Sequence, residues 1–339
     1  MLVIRPANLG DLDQLLDIST ATGPGMTSMP ADRDMWERRL RQSEASFSES
    51  SADTGNTYFM VLEDTESGVI AGSTAIYTGI GRKRPFYSYK VSTLVNYSST
   101  LDRTVTHRVL HLVNDYTGAT EIGSLYLAPE YRRDRNGAFI SRSRYLLLAG
   151  LRDRFANVVI AEMRGWQDTD GESPFWEHLG KKFFGLAFEN ADYMNAVNGT
   201  QFISDLMPRY PIYVDLLARE AREVIGKPHT DSARALSLLL REGFYFADYV
   251  DIFDGGPTVQ CRTDDIRSVQ DARRLTVIDV VGDDAIAGAP VRIVSNDVIT
   301  RYRIVRQPAR IEKEGLLLGR SAATALGCDT GSVISMIEA

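Results

Sequence analysis

The sequence predicts a mixed α/β fold, an α+β mixed sheet flanked by helices, followed by a small β-rich region. Three observations predict it. A short apolar strand, a basic loop and an amphipathic helix follow one another between Ile122 and Leu151. A strand, two helices and a β-hairpin precede them, and beyond Thr258 helical spacing gives way to short β runs.

Taken in order, Leu2-Val3-Ile4-Arg5-Pro6 reads as a strand. Asn8 and Asp11 supply the N-cap and first-turn acid of a helix with Leu12, Leu15, Leu16 and Ile18 on one face. Gly23-Pro24-Gly25 breaks that helix. A second helix is expected over residues 31–47, with Asp32 and Asp34 near its positive end. Residues 57–63 and 69–80 are β-rich runs joined by Asp64-Thr65-Glu66-Ser67-Gly68, a hairpin signature. Residues 86–95 read as another strand. Ser124-Leu125-Tyr126-Leu127 is the apolar strand before the basic loop, and residues 138–154 carry apolar side chains at helical spacing.

A strand over 158–163 comes next, then a short helix opened by Ser173-Pro174, with Pro at its first position. Residues 189–226 look largely helical, interrupted by Pro208 and Pro211. Another helix, 230–242, is closed by Gly243, and a strand over 244–253 ends at Asp254-Gly255-Gly256-Pro257. Residues 275–281, 291–295, 299–305 and 331–337 read as strands, with a short helix at 321–326. The expected division is a ligand-binding α/β part, 1–257, with its loop near 122–150, and a barrel-like β-rich part, 258–339.

With 339 residues the chain can bury a large core and hold more than one domain. Its 24% charged and 44% hydrophobic residues are ordinary for a globular protein, and the net charge of −7 argues against a nucleic-acid partner. Met1-Leu2-Val3-Ile4-Arg5-Pro6 lacks the layout of a signal peptide, and no apolar run approaches a membrane span. Cys261 and Cys328 are isolated, without metal or disulfide spacing. These features predict a cytoplasmic location and no membrane partner.

The loop Tyr131-Arg132-Arg133-Asp134-Arg135-Asn136-Gly137 is the strongest chemical signal. Strand, loop and helix together present backbone N–H groups and a helix N-terminus to a phosphate, and guanidinium groups bind phosphate bidentately. Arg132, Arg133, Asn136 and Gly137 are therefore candidate pyrophosphate ligands. His107 and His111, four apart, would place two metal ligands on one helical face, but Arg108 stands where a zinc protease motif has Glu. That pair reads as structural, and no metal is expected. His178 reads as a surface or packing residue. His229, in Gly226-Lys227-Pro228-His229-Thr230, is a loop histidine for which solvated and catalytic roles both stay open.

The loop resembles the coenzyme A signature of the GNAT acyltransferases, Arg/Gln-x-x-Gly-x-Gly/Ala. Arg132 takes its first position, Gly137 its last, and Arg135 stands where the middle glycine is usual. Other segments narrow the resemblance. Asn114-Asp115-Tyr116-Thr117-Gly118, Glu121-Ile122-Gly123-Ser124-Leu125-Tyr126-Leu127, Ala161-Glu162-Met163-Arg164-Gly165, Ser173-Pro174-Phe175-Trp176 and Asp251-Ile252-Phe253-Asp254-Gly255-Gly256-Pro257 resemble the arginine N-succinyltransferases. So do Leu179-Gly180-Lys181-Lys182-Phe183-Phe184, Leu206-Met207-Pro208 and Pro211-Ile212-Tyr213. The likeness is closest between about 110 and 260 and looser beyond.

That resemblance implies a GNAT acyltransferase fold with an additional small C-terminal β-rich domain. It implies transfer of succinyl from succinyl-CoA to the α-amino group of L-arginine, the first step of a succinyl-dependent arginine catabolism. Succinyl-CoA enters as a cosubstrate, with no permanently bound cofactor. The resemblance places a cofactor contact on Leu125, in the strand that also holds Leu127, and a proton donor on His229, in Val224-Ile225-Gly226-Lys227-Pro228-His229. Some members are paired subunits, so a homo- or hetero-oligomer with a related subunit is a further expectation. Two other readings stay open: a GNAT acetyltransferase acting on another amine, and a non-catalytic subunit binding CoA or arginine, which Arg135 favours.

The chemistry constrains the rest. A guanidinium, with a pKa above about 12, cannot act as the amine, whereas an α-amino group near about 8 can. Backbone N–H groups where the strand splays after Leu125 or Leu127 would hold the thioester oxygen. Direct attack without an acyl-enzyme is expected. The guanidinium needs a carboxylate, for which Asp115, Glu121, Glu162, Asp251 and Asp254 are candidates. The succinyl carboxylate needs a cation, for which Arg164, Lys181 and Lys182 are candidates.

Overall fold

The structure, a computed structural model, describes residues 1–22, 28–48, 55–198, 201–313 and 315–339. The expected break at Gly23-Pro24-Gly25 lies outside them. Strand β1 (Leu2–Pro6) leads into a 3-10 turn where Asn8 Oδ1 accepts from the Gly10 N–H at 2.8 Å and Asp11 Oδ2 from the Asn8 N–H at 2.9 Å. Arg5 meets both Asp11 oxygens at 2.8 Å, so the acid that starts the helix also ties it to β1. Helices α1 (Leu12–Thr22) and α2 (Arg33–Ser46) bury Leu15, Trp36 and Leu40 against Phe59 and Val61 of the sheet. The hairpin forms as β2 (Thr57–Asp64) and β3 (Val69–Tyr77).

Strands β4 (Ser88–Ser98) and β5 (Arg103–Val113) pair along their whole length. His107 and His111 therefore lie on a strand, not a helical face. The β-branched run Thr104, Val105, Thr106, Val109 favours that outcome, and His107 Nδ1 lies 2.5 Å from Asp215. Next come β6 (Thr120–Leu127), α3 (Asn136–Gly150) and β7 (Val158–Glu162), a parallel crossover.

The following segment contributes α4 (Lys181–Phe184), α5 (Phe188–Asn198), α6 (Gln201–Leu206), β8 (Ile212–Tyr213), α7 (Arg219–Val224), α8 (Ala233–Arg241) and β9 (Tyr245–Val250). Its own core gathers Phe175, Trp176, Leu179, Phe184 and Phe253, with Trp176 and Phe184 stacked at 5.4 Å. Strand β10 (Pro257–Arg262) pairs with both β7 and β9. It spans the boundary expected at 257/258, so residues 258–262 share the sheet that holds β7. The strand order is β1-β2-β3-β6-β7-β10-β9-β4-β5-β8.

After α9 (Arg267–Gln270) come β11 (Arg273–Val281), α10 (Asp283–Ile286), β12 (Val291–Ser295), β13 (Ile304–Glu312), β14 (Gly315–Gly319), α11 (Arg320–Leu326) and β15 (Val333–Glu338). The pairings β12–β15, β15–β11, β11–β14, β14–β13 and β13–β12 close these strands into a ring. Val277, Val294, Leu316, Leu318, Ile334 and Met336 share its core. Residues 299–301, expected in a strand, form a 3-10 turn ahead of β13. β13 also pairs with β1, which joins the ring to the main sheet. Among the described residues no helix is long and apolar enough to cross a membrane.

Candidate active site

The site arises where β6 departs from regular pairing on both sides. Its ladder with β3 shifts register between Ser73 and Ala75, and Ser124 takes φ +49° within the strand. A non-glycine residue there costs about 1–2 kcal/mol. The bulge is pinned: the Tyr77 hydroxyl lies 2.7 Å from Ser124 Oγ, and Ser73 Oγ donates to the Ser124 carbonyl at 3.0 Å. On the other side β6 pairs with β7 at Thr120↔Val159 and Glu121↔Ile160, and beyond these residues the two strands diverge. A cleft of about 1220 Å³ opens there, and Leu125 and Leu127 line it.

Arg132, Arg133, Asn136 and Gly137 all line the same cleft. Arg132 Nε donates to the Leu127 carbonyl at 2.9 Å. Asp134 and Arg135 take φ +50° and +60°, so Arg135 itself adopts the left-handed conformation that the usual glycine favours, directly before α3. Asn136 is 3% exposed and its amide donates to the Tyr131 carbonyl at 3.1 Å. Gly137 is the opposite case: a Cβ there would meet no atom within 4 Å.

At the far end the cleft is lined by Glu121, Glu162, Asp251 and Asp254. Glu121 lies at most about 20 Å from Leu127 along β6, the bulge at Ser124 shortening the span from the regular rise per residue. Burial pushes the Glu121 carboxyl up to about 7, against the opposing influence of Arg39. Asp251 and Asp254 are engaged in shaping the turn before β10. Asp251 Oδ1 accepts from the N–H groups of Phe253 and Asp254 at 2.7 and 2.9 Å. Asp254 accepts from Gly165 at 2.6 Å and Gly256 at 2.8 Å. A Cβ at Gly256 would fall 2.1 Å from the Met163 carbonyl oxygen, which is why that turn needs glycine.

Asp115 corrects an expectation. It is exposed, accepts from the Tyr249 hydroxyl at 2.9 Å and does not line the cleft, because the turn before β6 carries it to the β9 side. Lys181 pairs with Glu177 at 2.6 Å, and neither it nor Lys182 lines the cleft. Arg164 does, and it donates to Gln167 Oε1.

His229 is placed by backbone pairing. Its N–H donates to the Arg164 carbonyl at 2.8 Å, and Trp166 donates to the Lys227 carbonyl at 3.0 Å. The loop therefore runs beside the continuation of β7; Thr230 and Asp231 line the cleft, whereas His229 stands beside them and is not itself a lining residue. Asp231 N–H donates to His229 Nδ1 at 3.2 Å, and an Asp231 carboxylate oxygen lies 3.6 Å from that atom. Burial and the nearby Arg164 cation lower the imidazole pKa, so the ring is neutral at pH 7.

Sequence reasoning missed Ser124, whose left-handed backbone nothing in its neighbours announces. It also missed Arg144, which lines the cleft at 2% exposure and donates to Ser141 Oγ at 3.0 Å. An arginine within an amphipathic helix carries no mark of burial.

A family model described as Arginine N-succinyltransferase beta subunit matches residues 2–268. The chain is 40% identical to an Arginine N-succinyltransferase of Yersinia enterocolitica, with 100% of this chain and 98% of the relative covered. It is 37% identical to one of Escherichia coli over the same shares. Among solved structures, arginine/ornithine succinyltransferase subunit AI from Pseudomonas aeruginosa superposes with a TM-score of 0.89 at 34% identity, covering 100% of this chain and 98% of that one. The chain belongs to the arginine N-succinyltransferase family.

Proposed function

We propose that this chain transfers the succinyl group of succinyl-CoA to the α-amino group of L-arginine, releasing CoA and N2-succinyl-L-arginine. The observation that carries this reading is the polarity of the cleft. A loop of guanidinium groups and a helix N-terminus stands at one end, carboxylates stand at the other, and the β6 bulge lies between them.

In this reading the loop over 132–137 holds the CoA pyrophosphate, and Leu125 and Leu127 flank the thioester arm where β6 and β7 part. The Leu125 N–H, beside the bulge at Ser124, donates to the thioester oxygen as negative charge develops on it. Glu121 and Glu162 hold the guanidinium of arginine, and Arg164 meets the succinyl carboxylate. The α-nitrogen attacks, its bond to the acyl carbon forms and the carbon–sulfur bond breaks. His229, neutral at rest with its proton on Nε2, relays the proton: Nε2 gives its proton to the CoA sulfur as Nδ1, released from the Asp231 N–H, takes the one leaving nitrogen. Asp231 stabilises the positive charge on the ring during the relay. The fold is then of the GNAT type, with the β11–β15 ring as an added C-terminal unit. A second copy or a related subunit is a further proposal, since the solved relative is itself named a subunit.

The test is thiol release by the purified chain with succinyl-CoA or acetyl-CoA and arginine, ornithine, lysine or no amine. The reading expects arginine-dependent release from succinyl-CoA and little from acetyl-CoA. Release with acetyl-CoA alone would convert it to an acetyltransferase. No release with any pair, despite CoA binding, would leave a non-catalytic subunit.

A further inference from the structure

β13 carries Arg306 from the C-terminal ring to the cofactor loop. Arg306 Nη2 donates to Asn136 Oδ1 at 3.2 Å, and its guanidinium carbon lies 5.6 Å from the centroid of the Phe139 ring. The buried Asn136 amide is thereby held at both ends, by Arg306 and by the Tyr131 carbonyl. Arg133, Asp134 and Asn136 line the main cleft and also a cavity of about 290 Å³ behind the loop, which Arg306 lines too. The acids on that side, Asp64 and Glu66, are engaged by the Met1 ammonium at 3.4 and 3.0 Å. Among the described residues, no carboxylate is hydrogen-bonded to Arg306. Burial and the proximity of Arg135 lower its pKa, and Asp134, which lines both cavities, opposes them.

We propose that the C-terminal ring takes part in binding the acyl donor: Arg306 holds Asn136 and the start of α3 in place for a CoA phosphate and adds positive charge beside it. The inference rests on the reading of 132–137 as the phosphate loop, and Arg306 lies beyond the residues 2–268 that match the family model. It gives the ring a role in the reaction: it fastens the donor half of the site from outside the main sheet. Arg306 is a positioning residue in this account, acting through Asn136.

The test uses the full chain with Arg306→Met, which keeps the apolar stem over Phe139, Arg306→Lys, which keeps the charge, and Arg132→Ala. Calorimetric titration with CoA is combined with steady-state kinetics for both substrates. Arg306→Met is expected to weaken CoA binding and raise the KM for succinyl-CoA by about tenfold, the effect of losing a hydrogen bond to a charged group. The KM for arginine and kcat at saturation stay within about twofold, and Arg306→Lys recovers part of the loss. An unchanged CoA affinity in Arg306→Met, with Arg132→Ala weakened, overturns the proposal and leaves the loop reading intact. Unchanged affinity in both variants overturns the loop reading and this proposal together. Equal losses for both substrates would make Arg306 merely structural and overturn it as well. If Arg306→Met does not fold, Arg306→Lys decides: CoA affinity equal to the parent chain's overturns the proposal.

Discussion

The basic end of the cleft comes from consecutive residues, 132–137, whereas its acidic end is gathered from β6, β7 and the connection between β9 and β10. The basic end is ordered largely by its own backbone: Arg133 accepts from the Asn136 N–H, Arg135 from the Phe139 N–H, and α3 starts at once. The acidic end depends on which carboxylates the surrounding backbone takes up. Asp251 and Asp254 are engaged by turn N–H groups and Asp115 by Tyr249, whereas the buried Glu121 keeps its carboxyl pushed up to about 7. A contiguous basic loop is thus readable from sequence. A site shared among strands is decided by packing.

The largest effect is expected between the two ends. His229→Ala lowers kcat by about 10²–10⁴ while CoA affinity stays unchanged. Because the base form is the active one and its pKa is lowered, kcat of the parent chain falls only as pH drops below the ordinary histidine range, and that acid limb vanishes in His229→Ala. Equal losses in kcat and CoA affinity would place His229 at the donor end instead.

Glu121→Gln probes the acidic end. It raises the KM for arginine by about 10- to 100-fold, as loss of a charge-assisted pair should. With its carboxyl pushed up to about 7, Glu121 is partly protonated at neutral pH, and a guanidinium beside it lowers that value. Arginine binding at pH 7 therefore releases protons in the parent chain and none in Glu121→Gln, as titrations in buffers of different ionisation enthalpy would read. Gly137→Ala sharpens the basic end with a smaller effect. The new methyl meets empty space in the protein, so thermal stability holds or rises slightly while CoA binding weakens by about tenfold. Smallest is Arg135→Gly, which relieves a left-handed arginine and changes stability by no more than about 1 kcal/mol, read by denaturant unfolding.

Features legible in the sequence were those written into short stretches. The Asn8/Asp11 cap, the β2–β3 hairpin, the loop before α3 and the α8 helix follow from capping, turn and periodicity rules. β5 was hidden because two histidines four apart mimic a helical face in a run whose Val and Thr residues favour a strand. The bulge at Ser124 and the closure of β12 onto β15 depend on register with distant strands, to which no local pattern points. Arg306 entered no candidate set for the same reason: more than a hundred and fifty residues separate it from Asn136, which it holds.

The most direct test of the two-ended cleft is an initial-rate grid, varying both substrates, for Glu121→Gln and Arg132→Ala beside the parent chain. The account predicts crossed selectivity: Glu121→Gln raises the KM for arginine and leaves that for succinyl-CoA, and Arg132→Ala does the reverse. A shift of the succinyl-CoA KM alone in Glu121→Gln would contradict it.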